Sequence, residues 1–187
     1  VSFFSAEQTQ PWLAALKAGH VAAAPAEGAY GYVADPYNPL ALQEVLNIKH
    51  RNPGKGLITL IGKLEQLKEL TGPLNKACEY AIAQYWGAEG AKHGPVTLLL
   101  PAIAGLHPLQ TGGGAFVAVR FSHESYVQEY MKLWGGPLIS TSLNISGKPP
   151  AVQASQIPAG VAALSLPEPL PGTVSRIFAP TENRWLR

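Results

Sequence analysis

Apolar positions along the chain switch repeatedly between helical and strand periods. Between Glu7 and Lys17, the residues Trp12, Leu13 and Leu16 share one helical face, and Gly19 follows as a stop signal. Val21 to Ala24 is then a short unbroken apolar run, which predicts a buried strand. From Leu40 to Lys49 the positions Leu42, Val45, Leu46 and Lys49 recur at helical spacing, so a helix runs into the basic residues that follow. Leu57 to Ile61 predicts the next strand. Helical patterns cover Leu64 to Leu70 and Leu74 to Trp86, and strand patterns cover Val96 to Leu100 and Phe116 to Arg120. Ser122 is placed to cap a helix through Trp134, and Leu138 to Ser142 predicts a strand that ends in hydroxyls. Pro149 to Pro171 is rich in Pro and Ala with weak periodicity, which leaves two readings: a segment meandering over the sheet, or a partly mobile flap. The alternation predicts an α/β fold with helices covering a sheet. No repeat or composition shift divides residues 1–187, so one domain is expected.

Composition narrows the function classes. A chain of 187 residues can bury a substantial core, and 14 Lys and Arg against 12 Asp and Glu leave a net charge of only +2. Bulk attraction to nucleic acid is therefore weak, and any anion site must come from local clustering. The single cysteine, Cys78, lies in a helical apolar pattern and reads as a buried inert thiol, not a disulfide partner or metal ligand. The histidines never fall at His-x-x-x-His spacing, so no zinc site is expected. No stretch reaches the length of a membrane span, and Val1 to Glu7 lacks the regions of a signal peptide. A cytosolic protein without membrane contact is expected, with a natural N-terminus that is processed or missing.

Two polar clusters carry the chemistry. Ser140-Thr141-Ser142-Leu143-Asn144-Ile145-Ser146-Gly147 packs hydroxyls and an amide directly after an apolar strand, a composition suited to donating to phosphate or carboxylate oxygens. Lys49-His50-Arg51-Asn52-Pro53-Gly54-Lys55 supplies the charge: Arg51 is a planar fork, and Lys49 and Lys55 are mobile point charges. The alternative for the cations is that they solvate a helix end and favour its dipole. Gly-x-Ser-x-Gly is absent, Gly54-Lys55-Gly56 lacks P-loop spacing, and Gly112-Gly113-Gly114 does not sit between a strand and a helix. Cations and hydroxyls without a covalent nucleophile suit phosphoryl or nucleotidyl transfer.

In chain order, Pro25-Ala26-Glu27-Gly28-Ala29-Tyr30-Gly31, Lys49-His50-Arg51, Lys55-Gly56-Leu57, Gly94-Pro95-Val96-Thr97, Val119-Arg120 and Ser140 to Gly147 resemble the motifs of the YrdC-type, or TsaC, threonylcarbamoyl-AMP synthase family. The resemblance implies a single YrdC-like domain with a twisted mixed sheet and a concave basic site. It implies a nucleotidyltransferase that forms threonylcarbamoyl-adenylate and pyrophosphate from L-threonine, bicarbonate and ATP, with magnesium bound through the phosphates. It also implies a downstream tRNA threonylcarbamoyl transferase complex as partner. Carried over residue by residue, Lys49, Arg51 and Lys55 bind the ATP phosphates, and Ser142 and Asn144 hold the nucleotide near the α-phosphate. Arg120, with Ala26 and Thr141, serves the amino acid. For Arg120 the alternative is a surface ion pair with Glu124. Tyr30 packs against substrate or fills the core, Thr97 reaches phosphate or is a plain strand residue, and Ser140 assists or satisfies local backbone groups. Arg176 enters through Pro171-Gly172-Thr173-Val174-Ser175-Arg176, a loose match to the family's Pro-Ser-Thr-Ile-Arg-Asp.

Three departures accompany the match: Ala26 stands where the family has threonine, residues 87–93 are an apparent insertion, and the 171–176 match is loose. Two further functions stay open. One is a non-catalytic RNA-binding or ribosome-maturation protein of the same fold with weak tRNA or rRNA contact, supported by the basic cluster and a pI of about 8.7. The other is a relative that adenylates a different amine, for which Ala26 is the evidence.

Overall fold

The computed structural model describes residues 2–144 and 148–187. Ile145, Ser146 and Gly147, the end of the hydroxyl-rich string, lie outside the described residues, as does Val1. The elements run α1 Ala6–Lys17, β1 Ala22–Pro25, β2 Tyr30–Ala34, α2 Pro39–Lys49, β3 Ile58–Ile61, α3 Lys76–Trp86, β4 Val96–Pro101, α4 Pro108–Thr111, β5 Phe116–Phe121, α5 Ser125–Trp134, β6 Leu138–Ser142, β7 Arg176–Ala179 and β8 Arg184–Trp185.

Local chemistry sets the helix ends. Asn38 accepts from the backbone N–H groups of Leu40 and Ala41, and Pro39 takes the first turn, where no donor is missed. The same helix stops at His50 with φ 47, a left-handed residue that turns the chain so that Arg51 leaves the helix axis. Asn75 caps α3 by accepting from Cys78 N–H.

The strands form one mixed sheet in the order β1-β2-β6-β3-β5-β4-β7-β8. β3 and β5 are parallel, as are β4 and β7, and the other neighbours are antiparallel. Alternation along β1 sends Ala22 and Ala24 into one core with Trp12, Leu16, Val127 and Tyr130, so α1 and α5 cover that face. Ala23 points the other way, into a core with Leu42, Val45 and Leu46 of α2. A third core joins α3 to β4 and β5 through Cys78, Leu98 and Val119.

The Pro- and Ala-rich segment meanders over the sheet edge, where Ala163 bridges Ala23. Ala23 N–H donates to Ala162 at 2.9 Å and Leu164 N–H donates to Ala23 at 3.0 Å, so the otherwise open edge of β1 is occupied. Leu164 is fully buried there.

The structure corrects several sequence expectations. The helical pattern from Leu64 to Leu70 is a 3-10 helix over Leu64–Glu69. Ser122 does not cap α5: the helix starts at Ser125 with Glu124 in the cap position, and the Ser122 hydroxyl accepts from Glu124 N–H at 3.2 Å, shaping the turn before it. β2, β7 and β8 follow from no periodic run. β2 is buried on both faces, and β7 and β8 are short strands after a Pro-rich stretch, with β8 at the sheet edge.

Leu60 lies fully buried on β3, whose neighbours are β5 and β6, the strands that carry Arg120 and Ser140. Leu60→Ala removes side-chain contacts from a site that cannot collapse around the gap, and should cost about 2–5 kcal/mol. Urea unfolding checks this; a loss below about 1 kcal/mol would contradict the packing described.

Candidate functional site

The strand order brings the two clusters together. β6 lies between β2 and β3, so Ser142 stands opposite Gly31 and Ser140 opposite Val33. On β5, Arg120 stands opposite Thr97 of β4 and beside Leu60 of β3. The turn after α2 and the chain around Ser175 close the sides. The result is a cleft walled by Arg51, Arg120, Ser140, Ser142, Ser175 and Arg187.

Lys49 is not a mobile point charge. Its side chain is almost wholly buried. The ammonium donates to the backbone oxygen of Ser142 at 2.5 Å, to that of Asn144 at 2.7 Å, and to Asn144 Oδ1. One cation thus ties the end of α2 to the turn after β6. Asn144 Oδ1 also accepts from the Ser142 hydroxyl at 2.8 Å, and its Nδ2 donates to Lys148 O. Burial, with the Arg51 guanidinium nearby, pulls the Lys49 ammonium down to about 8.

The arginines form a chain of like charge. Burial and the field of Arg187 lower the pKa of Arg51, and burial and the field of Arg120 lower that of Arg187. Arg51 Nε is buried without a hydrogen-bond partner, and its Nη2 makes only a long contact of 3.5 Å to Lys55 O. Arg120 donates to the Ser140 hydroxyl at 3.2 Å, and its Nε lies 3.5 Å from Glu27 Oε2. That contact is an ion pair without hydrogen-bond geometry, which is why the same Nε counts as unsatisfied. The partner is Glu27 and not Glu124, and the pair is buried. Glu27 is the one carboxylate among the described residues lining the cleft, against three arginines. Such a wall favours an anion with more than one charge.

The remaining sequence candidates divide. Ala26 and Thr141 line the cleft, whereas Lys55 and Asn144 line an adjoining groove shared with Arg51 and Arg187. Tyr30 is fully buried, with its hydroxyl accepting from Leu166 N–H at 2.9 Å, and it also lines the cleft. Thr97 is fully buried too, and its hydroxyl bonds the Ser175 hydroxyl at 3.0 Å instead of facing the cleft. Arg176 points away, over the Trp185 ring at 4.4 Å, and donates to His93 O at 2.9 Å.

The sequence reading missed Arg187, Ser175 and the role of Glu27. Arg187 reaches the cleft because Leu186 N–H donates to Ile177 O and Ile177 N–H to Arg187 O, extending the β7–β8 pairing. Its Nε then donates to Ser175 O at 3.0 Å. Glu27 was present in the quoted Pro25 to Gly31 string, but nothing local in the sequence names Arg120 as its partner.

Fold and site together define an α/β protein with a cationic, hydroxyl-lined anion cleft. The chain belongs to the Sua5/YciO/YrdC family, whose model, described as Telomere recombination, matches residues 14–164. It is 38% identical over 173 residues to the threonylcarbamoyl-AMP synthase of Alkalilimnicola ehrlichii, covering 91% of this chain and 87% of that protein. To the threonylcarbamoyl-AMP synthase of Chromohalobacter salexigens it is 34% identical over 153 residues, covering 82% and 80%. The structure of P. abyssi Sua5 complexed with L-threonine superposes with a TM-score of 0.82 at 26% identity, over 94% of this chain and 52% of that one. This chain therefore spans about half the length of that structure.

Lys49→Met would leave the oxygens of Ser142 and Asn144 without their donor. The expected loss is about 1–3 kcal/mol of stability, read by chemical denaturation. An unchanged midpoint would mean that the ammonium does not hold this turn.

Proposed function

We propose that this chain is a threonylcarbamoyl-AMP synthase acting in the cytosol. The observation that carries the reading is the cleft itself: three arginines, one paired carboxylate and the hydroxyls of β6 in one concavity. The names of the curated relatives and the L-threonine complex of P. abyssi Sua5 support it.

In this reading the triphosphate lies along Arg51, Arg187 and Lys55, whose charges neutralise it. Ser142 and Asn144, fixed by Lys49, hold the nucleotide near the α-phosphate. Arg120 receives the carboxylate of L-threonine with its fork, while Glu27 and Ser140 keep the guanidinium in place. The threonine amine attacks the carbon of bicarbonate and water leaves, giving a carbamate. A carbamate oxygen then attacks the α-phosphorus, the bond to the β-phosphate oxygen breaks, and pyrophosphate departs. The protein's share is positioning and charge stabilisation, with no covalent enzyme intermediate.

Magnesium enters this reading through phosphate oxygens. No group of three or more His, Cys, Asp or Glu side chains gathers to hold a cation among the described residues, and Glu27 is engaged with Arg120. The steps above are therefore derived from the chain's own residues. The product is a labile mixed anhydride, so its consumer is a tRNA threonylcarbamoyl transferase complex that modifies the adenosine beside the anticodon.

Pyrophosphate release from ATP, measured with and without bicarbonate across a panel of amino acids, tests the proposal. Release that requires both threonine and bicarbonate is expected. Tight, salt-steep RNA binding with no such release would favour the RNA-binding alternative. Arg51→Ala removes a desolvated cation from the triphosphate and should weaken ATP binding by about 2–5 kcal/mol; unchanged affinity would take Arg51 out of the site.

A pH dependence follows from Lys49. Its proton is held below about pH 8 in the free protein and adds positive charge beside the phosphates, and a bound anion holds that proton more tightly. ATP affinity is therefore full below about pH 8 and falls above it, by roughly tenfold per unit at most. Lys49→Arg, which keeps its charge, should flatten the profile. A wild-type profile that is flat to pH 9.5 would contradict this.

A further inference from the structure

Residues 2–4, ahead of α1, are gathered onto α5 by one carboxylate. Glu129 accepts from the Ser2 hydroxyl at 2.6 Å, from Phe3 N–H at 3.0 Å and from Phe4 N–H at 3.3 Å. Hydrogen bonds to an ionised acceptor are the stronger kind. Phe4 adds an apolar anchor, buried in one core with Trp12 and Tyr130. Phe3 is about half exposed, and its ring stands edge-on to that of Tyr126 with centroids 6.0 Å apart. Tyr126 lies three residues before Glu129, so both side chains share one side of α5.

Tyr126 is where this contact meets the cleft. Its ring packs against two cores, the one under α1 and α5 and the one under α2. Its hydroxyl donates to Ala26 O at 3.0 Å. Burial, then the carboxylates of Glu124 and Glu27, raise the pKa of the phenol, so the group stays a donor throughout the neutral range. Ala26 belongs to the turn between β1 and β2, closed by Ala26 N–H donating to Ala29 O at 3.0 Å. The next residue, Glu27, is the carboxylate paired with Arg120 at 3.5 Å. A donor on α5 thus fixes the backbone one residue away from the group that orients the cleft arginine. Ala26 is buried, so removing that donor leaves its carbonyl short of a partner and the turn must shift to find one.

We propose that Tyr126 is a positioning residue for the cleft: its hydroxyl sets the β1–β2 turn so that Glu27 aims Arg120, and residues 2–4, clamped by Glu129, hold the Tyr126 ring in place for that bond. A segment distant in sequence from both polar clusters acts on Arg120 in this way without touching substrate. The inference rests on the synthase reading above for the ligand that Arg120 receives, and on the contacts alone for the link from residues 2–4 to the turn.

The test has two arms. In the first, hydrogen exchange of the Ala26 amide, which reports closure of the turn, is followed by NMR in the wild type, Tyr126→Phe, Glu129→Ala and the double variant. Each single variant should exchange at least about threefold faster, and Glu129→Ala should add less than about twofold once the Tyr126 hydroxyl is gone. Unchanged exchange in Tyr126→Phe overturns the hold on the turn. Unchanged exchange in Glu129→Ala, or an equal effect of Glu129→Ala in both backgrounds, overturns the part given to residues 2–4. In the second arm, Tyr126→Phe, which keeps the ring and its packing, should raise the KM for threonine about three- to tenfold, the equivalent of one ordinary hydrogen bond. The KM for ATP and kcat should stay within about twofold, a split that a general loss of stability would not produce. An unchanged threonine KM, or equal rises for threonine and ATP, overturns the effect on Arg120. A wild type without threonine-dependent turnover defeats the synthase reading, while the exchange arm still decides the link.

Discussion

Holding several cations at the mouth of one concavity is the constraint to which the rest of this structure answers. Two like charges about 6 Å apart in a medium of effective dielectric about 20 repel by roughly 3 kcal/mol. Lys49 feels the charge of Arg51, Arg51 that of Arg187, and Arg187 that of Arg120. The fold offsets this with oxygen. Lys49 is surrounded by the oxygens of the turn after β6, Arg120 has Ser140 and Glu27, and Arg187 has Ser175. Arg51 is the least compensated, with a buried Nε that lacks a partner.

That arrangement requires the strand order that the chain adopts. With β6 inserted between β2 and β3, the strand that ends in hydroxyls becomes central, and those hydroxyls face residues from the start of the chain. Because Lys49 reaches across to the same turn, α2 and β6 are fixed relative to each other by a charge as well as by packing. The β7–β8 ribbon at the far edge then returns Ser175 and Arg187 to the cleft. The core supplies rigidity, and the polar contacts aim it.

Much of this was legible in the sequence, for physical reasons. α1, α2, α3 and most strands carry periods strong enough to be read locally, and the caps at Asn38 and Asn75 agree with them. The anion cleft was legible as two clusters because hydroxyls after an apolar strand and cations around a Pro-Gly turn are local patterns. What escaped was non-local. Thr97 and Arg176 sit in the expected motifs, yet the side chains that face the cleft are their neighbours in space, Ser175 and Arg187, because strands as short as β7 and β8 give no periodic signal. Lys49 was read as a free cation, since no local rule says that its ammonium will be enclosed by oxygens from residues 142 and 144. For Arg120 the local alternative to a substrate contact is Glu124, four residues on, whereas the carboxylate the fold brings to it is Glu27 of the β1–β2 turn.

The central claim is that Arg51, from the turn after α2, and Arg187, from the far edge of the sheet, act on one bound anion. A double-mutant cycle on ATP affinity, with Arg51→Ala, Arg187→Ala and the double variant, addresses it most directly. If both guanidiniums grip the same triphosphate, each single change weakens binding, and the double change departs from their sum by more than about 0.5 kcal/mol. Strict additivity, or an Arg187→Ala variant that binds ATP as the wild type does, would contradict the account.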